Sequence, residues 1–376
     1  MKKILTLVLA LAMMLTFAAA LAEEGPIKIG ITCSMTGDRS LEGWYTERAV
    51  EMFTEKINAE GGVLGRELQV LVEDSKGDST GAVTAWKKLA SEEGVVAIVG
   101  ADSSNDNLAV ADLASENQFV TTAQGSSPTL RDTCYQNPWL FQLRTCDEAL
   151  CYALMDYAVA QGYTKFAVIY ESESSSTDQA GLFTAALAEH GLEPVITLSF
   201  ATGTKDLTAQ LAQIQNSGAD CIAAASFQDS AAVLLTNKEA LGIELPVFGS
   251  NGYTDPVTIE LAGEAAEGAM AGTHWAPTTT REKGAAFAKE FTERYKEPCG
   301  KSAAQIYDHL SILCEALERA GSTEPQALAD AMRTITDYEG VMTDYDCSRN
   351  GSCGKGGLLA VVENGEAVIV DEIITE

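Results

Sequence analysis

Ile27-Lys-Ile-Gly-Ile-Thr32 leads into Ser34-Met-Thr-Gly-Asp38, then an amphipathic stretch from Trp44 to Ala59, then Gly61-Gly62-Val-Leu-Gly65-Arg66. The order is strand, polar loop, helix and tight turn. Val50, Phe53 and Ile57 share one helical face, as a helix packed on a sheet requires. The turn feeds a second apolar run at 67–73. This is the opening of a βαβ unit. It places the polar loop at the carboxyl end of a parallel strand, where open α/β sheets take their ligands.

Outward from there the pattern repeats. Strands are predicted at 27–32, 67–73, 95–99, 119–122, 166–170, 193–198, 221–225, 247–249 and 268–272. Several are short apolar runs without alternation, as in strands buried on both faces. Helices are predicted between them, at 44–58, 80–91, 107–117, 148–161, 177–190, 206–216 and 230–241. Gly94, Asn117, Gly162, Gly191, Gly218 and Gly242 stand where helix C-caps belong. The fold class is α/β with parallel sheets, in two βαβ series that divide near Arg144. Helices at 280–296, 302–320 and 326–335 follow, and a hairpin turning at Asn364-Gly365 closes the chain.

The chain has 376 residues. Lys2 and Lys3, the apolar run 4–15 and Ala20-Leu-Ala22 read as a signal peptide cleaved after residue 22. No cysteine stands immediately after that site, which disfavours an acyl-lipid anchor, and a soluble periplasmic product is expected. The remaining length exceeds one comfortable core, so two domains are expected. The net charge of −29 becomes −31 once the leader's two lysines are gone. That charge argues against nucleic acid or an anionic membrane surface as partner. Export permits disulfides. Cys347 and Cys353 bracket a turn-rich loop and form the expected pair, with Cys134 and Cys146 a second possibility. Cys33 and Cys221 read as buried thiols. With no Cys-x-x-Cys and only His190, His274 and His309, scattered, no metal site is expected.

The loops after the strands are polar in succession: 101–106, 123–128, 171–176, 226–229 and 250–255. Together they predict a ligand cleft. Ser103 and Ser104 stand at a helix start, which suits either a carboxylate on free N–H groups or plain N-capping. Enzymatic readings find little support. The chain has no Gly-x-Ser-x-Gly elbow, no phosphate-cradling loop and no dinucleotide fingerprint. Glu171, Glu173 and Asp178 read as solvated loop acids rather than a glycosidase pair. No catalytic residue and no cofactor are expected.

The chain resembles the Leu/Ile/Val-binding protein family, the substrate-binding components of branched-chain amino acid ABC transporters. The markers are Ile29-Gly-Ile31, Met35-Thr-Gly37, Ile57-Asn-Ala-Glu-Gly-Gly-Val-Leu-Gly65, Val72-Glu-Asp74, Val99-Gly100, Phe141-Gln-Leu-Arg144 and Leu261-Ala-Gly-Glu-Ala-Ala-Glu-Gly268. The resemblance implies two Rossmann-like lobes, the type 1 periplasmic binding fold, joined by three crossings near 144–146, 273–275 and 343–346. Lobe one would hold 26–144 and 275–344, and lobe two 145–274 and 345–376. It implies that Ser104 and Ser126 hold a ligand carboxylate, with Gln124 offering backbone, and that Phe227 is the second-lobe aromatic. At three positions the chain departs from the family pattern. Ser175 replaces a tyrosine, Asn251 the acid that pairs with the ligand's ammonium, and Glu42 an aromatic near the ligand side chain. Either Glu42, Glu171 or Asp255 supplies the missing counter-charge, or the ligand has no ammonium. The implied function is to bind an amino acid or related small polar carboxylate or amide by hinge closure and to deliver it to membrane ABC permease subunits. The alternative is a sensor of the same fold that presents its solute to a signalling receptor. A hydrolase is a third, weakly supported class.

Overall fold

The computed structural model describes residues 25–37 and 39–375; the expected signal peptide lies outside them. The first half runs β1 (Ile27–Cys33), α1 (Ser40–Ala59), β2 (Leu68–Asp74), α2 (Ser79–Ala90), β3 (Val95–Val99), α3 (Ser104–Glu116), β4 (Thr121–Ala123), α4 (Pro128–Gln136) and β5 (Leu140–Gln142). The second continues with α5 (Asp147–Ala160), β6 (Phe166–Glu171), α6 (Ser174–Glu189), β7 (Ile196–Phe200), α7 (Thr208–Asn216), β8 (Cys221–Ala225), α8 (Gln228–Ala240), β9 (Val247–Gly249), α9 (Pro256–Ala262) and β10 (Met270–Thr273). Then come α10 (Glu282–Tyr295), α11 (Lys301–Ala320), α12 (Pro325–Met332), β11 (Tyr338–Glu339), β12 (Asp344–Tyr345), β13 (Gly356–Glu363) and β14 (Glu366–Ile374).

Two large sheets result. The first is wholly parallel, in the order β2-β1-β3-β4-β5. The second has the order β14-β13-β10-β9-β8-β6-β7, parallel from β10 to β7 and antiparallel at its β13–β14 edge. In each, the chain returns past its first strand to reach the third. The switch points therefore fall between β1 and β3 and between β6 and β8, and crevices open at those strand ends.

The apolar faces explain the packing. Ile27, Ile29 and Ile31 of β1 are fully buried, together with Phe53, Trp86, Phe291, Leu310, Leu313 and Leu328 from surrounding helices. The late helices α10, α11 and α12 thus pack with the first sheet although they follow the second in sequence. Separate cores line the two faces of the second sheet, around Ile169 and Ile222 on one and Val168 and Phe183 on the other. The Gly61-Gly62 turn is required by the backbone. Gly62 has φ +76°, and a Cβ there would sit 1.8 Å from the Arg66 carbonyl oxygen.

Three stretches of chain run side by side between the sheets. Thr145 Oγ1 donates to the Gly356 carbonyl (2.6 Å), and the Cys146 N–H donates to Ser352 Oγ (2.8 Å). The His274 ring lies 3.0 Å from the Thr145 carbonyl.

Short elements were missed in the sequence. β5 and α4 were not predicted, and α1 begins at Ser40, four residues earlier than expected. The hairpin is as predicted, with Asn364 and Gly365 both at positive φ. All nine cysteines are buried free thiols, so neither expected pairing is formed. Cys347 and Cys353 are hydrogen-bonded to one another as thiols, and burial raises Cys353 well above the usual thiol range. Among the described residues no helix is long and apolar enough to cross a membrane, and no group of acids, histidines and cysteines is placed to hold a metal ion.

Candidate functional site

The switch-point loops of the two sheets face one another across a cleft. From the first sheet come the loop after β1 with the start of α1, the loop after β3, and residues 123–127. From the second come the ends of β6 and β8 and the turn after β9. Strand β2 fixes the first of these: the Asp74 carboxylate accepts the N–H groups of Met35 (3.0 Å), Thr36 (3.3 Å) and Lys76 (2.8 Å). The Asn107 side chain fixes the second, donating to the Ala101 and Ser103 carbonyls at 2.6 and 2.7 Å.

Six of the eight residues expected at the site line one inner pocket: Ser103, Ser104, Ser126, Ser175, Phe227 and Asn251. The pocket holds about 30 Å³, roughly the volume of one water molecule. It adjoins a chamber of about 480 Å³ lined by Arg39, Glu42, Glu171, Asp255 and Lys301 among others, within the usual size of small-molecule sites. Phe227, Gln228 and Lys301 are common to both spaces.

The serines are set by backbone chemistry. Ser104 Oγ accepts the N–H groups of Ser126 (3.2 Å) and Ser127 (3.1 Å). Its lone pairs are thereby used, and its proton is left to donate. The backbone approaches closely because residue 125 is glycine: a Cβ there would lie 2.6 Å from Ser104. Ser103 occupies the N-cap position of α3 but makes no side-chain cap bond, so of the two readings left open, plain capping is not realised. Ser175 is held by Glu173, whose carboxylate accepts its N–H (2.9 Å) and hydroxyl (2.7 Å). The Phe227 N–H donates to Glu171 (3.2 Å), and its ring carries the Arg39 guanidinium at 4.5 Å, joining the two sides of the cleft.

The other two expected residues sit differently. Glu42 lines the chamber rather than the inner pocket. Gln124 is behind the pocket. Its amide donates to the Gly100 carbonyl (2.5 Å), and its own carbonyl accepts from Arg144 (3.0 Å) and Gln305 (2.8 Å).

The sequence reading missed a buried charge cluster. Lys301 Nζ donates to both Asp102 oxygens at 3.1 and 3.2 Å, and Arg144 stands 3.7 Å from the same carboxylate. Burial alone would raise the Asp102 pKa; Lys301 and then Arg144 outweigh it and hold the carboxyl below its ordinary range. Glu42 meets the opposite outcome. Burial, then the Asp102 charge, push it up to about 8. Burial likewise raises Asp255. Arg144 also donates to His274 Nδ1 (3.0 Å). Since the Thr145 carbonyl can only accept, His274 carries its proton on Nε2. Burial, then Arg144, hold that ring well below the usual histidine range, hence neutral. Asp147 completes the cluster, accepting from Gln179 at 3.0 Å.

One signal in the sequence pointed to Lys301. A lysine in a helix's first turn opposes the helix dipole, and Lys301 begins the 20-residue α11.

Comparisons with known proteins place the chain in a family and a fold. A family model described as periplasmic binding protein matches residues 26–362. A Leu/Ile/Val-binding protein homolog from Brucella melitensis is 24% identical over 327 residues, covering 86% of this chain and 87% of its own. A leucine-, isoleucine-, valine-, threonine- and alanine-binding protein from Pseudomonas aeruginosa is 22% identical, covering 85% of each. Among solved structures, a leucine-binding protein from Thermotoga maritima superposes with a TM-score of 0.84 at 24% identity, covering 93% of this chain and 99% of its own.

Proposed function

We propose a function from one premise: the chain belongs to the periplasmic binding protein family, with the type 1 fold of the Leu/Ile/Val-binding proteins. That family binds solutes, so this chain is a binder and not an enzyme. Our reading is an exported substrate-binding protein of an ABC transporter, which closes on a small carboxylate-bearing solute of the amino-acid class and hands it to membrane permease subunits. We assign the leader 1–22 to export into the periplasm. We take 26–144 with 275–344 as one lobe and 145–274 with 345–376 as the other. The division of strands between the two sheets supports that partition.

The observation that carries the reading is the Ser104 hydroxyl, with both lone pairs engaged and its proton free beside Ser103 and Ser126 in the inner pocket. Such a donor, at the start of α3 where helix N–H groups are unfilled, suits a carboxylate. The amino group then meets the other side of the cleft. Asn251 has no charge to offer, and burial drives Glu42 and Asp255 toward their neutral forms. Glu171, buried and holding only the Phe227 N–H with one of its oxygens, is the counter-charge we assign. Closure would follow as a shift toward the conformer that binds better.

Calorimetric titration of the Ser104→Ala variant tests this. The expected loss of affinity is about 10- to 100-fold, the worth of a hydrogen bond to a charged group. Unchanged affinity for every carboxylate that binds the parent would refute the assignment.

A further inference from the structure

The chain carries more than twice as many acids as bases, yet the chamber is bordered by cations that lack full partners. Arg39 makes no ion pair among the described residues; its guanidinium lies over the Phe227 ring at 4.5 Å. Lys301 is nine-tenths buried and lines both the chamber and the inner pocket. Among the described residues its only carboxylate, Asp102, is shared with Arg144. Lysine has three N–H donors, and Asp102 takes two of them.

The acids nearest these cations do not restore the balance. Glu42 is pushed toward its neutral form by burial and then by the Asp102 charge. Gly300, before Lys301, provides no side-chain cap, so the positive end of α11 faces the same space. The carboxylates of the opposite side, Glu171 and Glu173, hold the Phe227 N–H and Ser175. On the first-sheet side of the chamber Arg39, Lys76 and Lys301 outnumber Glu42, whereas on the second-sheet side Glu171, Glu173, Asp229 and Asp255 outnumber Lys205. A buried ammonium with an unfilled N–H donor, as at Lys301, is costly unless an anion meets it there.

We propose that the solute bears two carboxylates: one at Ser104 and Ser126, and a second, distal one held by Lys301 and Arg39. The class is a short dicarboxylic compound, whether an acidic amino acid or its counterpart without the amino group. This rests on the cleft-binding reading above and specifies its substrate.

The test uses the chain without its leader, titrated calorimetrically at pH 7 with L-glutamate, L-aspartate, glutarate, L-glutamine and L-leucine. A dicarboxylate binds at least about 100-fold more tightly than glutamine, the neutral isostere of glutamate, as a buried charge pair demands. Glutamate against glutarate tells whether the amino group is read. Lys301→Met and Arg39→Gln each narrow the glutamate-to-glutamine ratio to within about threefold, since both ligands keep the same first carboxylate. Arg39 is only half-buried, so that variant folds even if Lys301→Met does not. Leucine or glutamine binding as tightly as every dicarboxylate overturns this inference and leaves the transport reading standing. No binding by any of the five, with none from the wider amino-acid series, overturns both.

Discussion

Asp102→Ala is expected to destabilise the protein by about 3–5 kcal/mol, the usual cost of leaving a buried charge unpaired. Among the described residues Asp102 is the only carboxylate paired with Lys301; it also faces Arg144, and the three side chains are 9%, 9% and 4% exposed. Truncation leaves two cations in a space that water reaches poorly. Urea unfolding measures the effect through the midpoint at constant slope. A double variant, Asp102→Ala with Lys301→Met, should recover much of the loss, because the cost lies in the unpaired ammonium and not in the missing contact. A single variant within 1 kcal/mol of the parent, on the scale of an exposed ion pair, would show that the cluster is hydrated and does not shape the cleft.

The second large effect concerns pH. The folded state raises the Glu42 carboxyl from 4.5 to about 8. The folded protein therefore holds a proton there that the unfolded chain releases. The stability linked to Glu42 is fully present below pH 4.5 and is lost progressively as pH rises to about 8. The groups around it are Asp102, Lys301 and Arg39. Glu42→Gln keeps the neutral shape and removes the titration. It should flatten the fall in stability between those limits and leave the variant more stable than the parent at pH 9 by about 2–4 kcal/mol, the scale of burying an ionised carboxylate. His309 works in the other direction. Burial lowers its ring from 6.5 to about 3, so its contribution is lost as pH falls through that range. Melting curves from pH 4 to pH 9 separate the two, since only the alkaline limb should change in the Gln variant. A parallel pair of curves would contradict a protonated Glu42.

Much of the site was legible because it is built locally. Each polar loop follows a strand in sequence, so position alone brought Ser103, Ser104, Ser126, Ser175, Phe227 and Asn251 to one pocket. The charge cluster was not legible for the opposite reason. Lys301 and Asp102 are 199 residues apart, and no periodicity connects them. Arg144 was read as part of a family marker and His274 as a scattered histidine, yet they meet at 3.0 Å where the chain passes between sheets. Gln124 lies outside the inner pocket. Its loop is at the cleft, but its carbonyl is already engaged by Arg144 and Gln305. Strand β5 has three residues, paired to β4 and bridged at Gln142 to Ser352 far along the chain, so there was no pattern long enough to detect. The expected Cys347–Cys353 disulfide is not formed: a short loop brings two thiols near one another, but spacing does not say whether the bond is made.

The measurement closest to the central claim is thermal melting of the chain without its leader against the amino acids and their decarboxylated amines. A solute bound only by the folded state raises the melting temperature with the logarithm of its concentration. The account predicts such a rise with at least one carboxylate-bearing compound, none with its amine, and a much smaller one in Ser104→Ala. No rise with any carboxylate, or a rise that Ser104→Ala leaves unchanged, would contradict it.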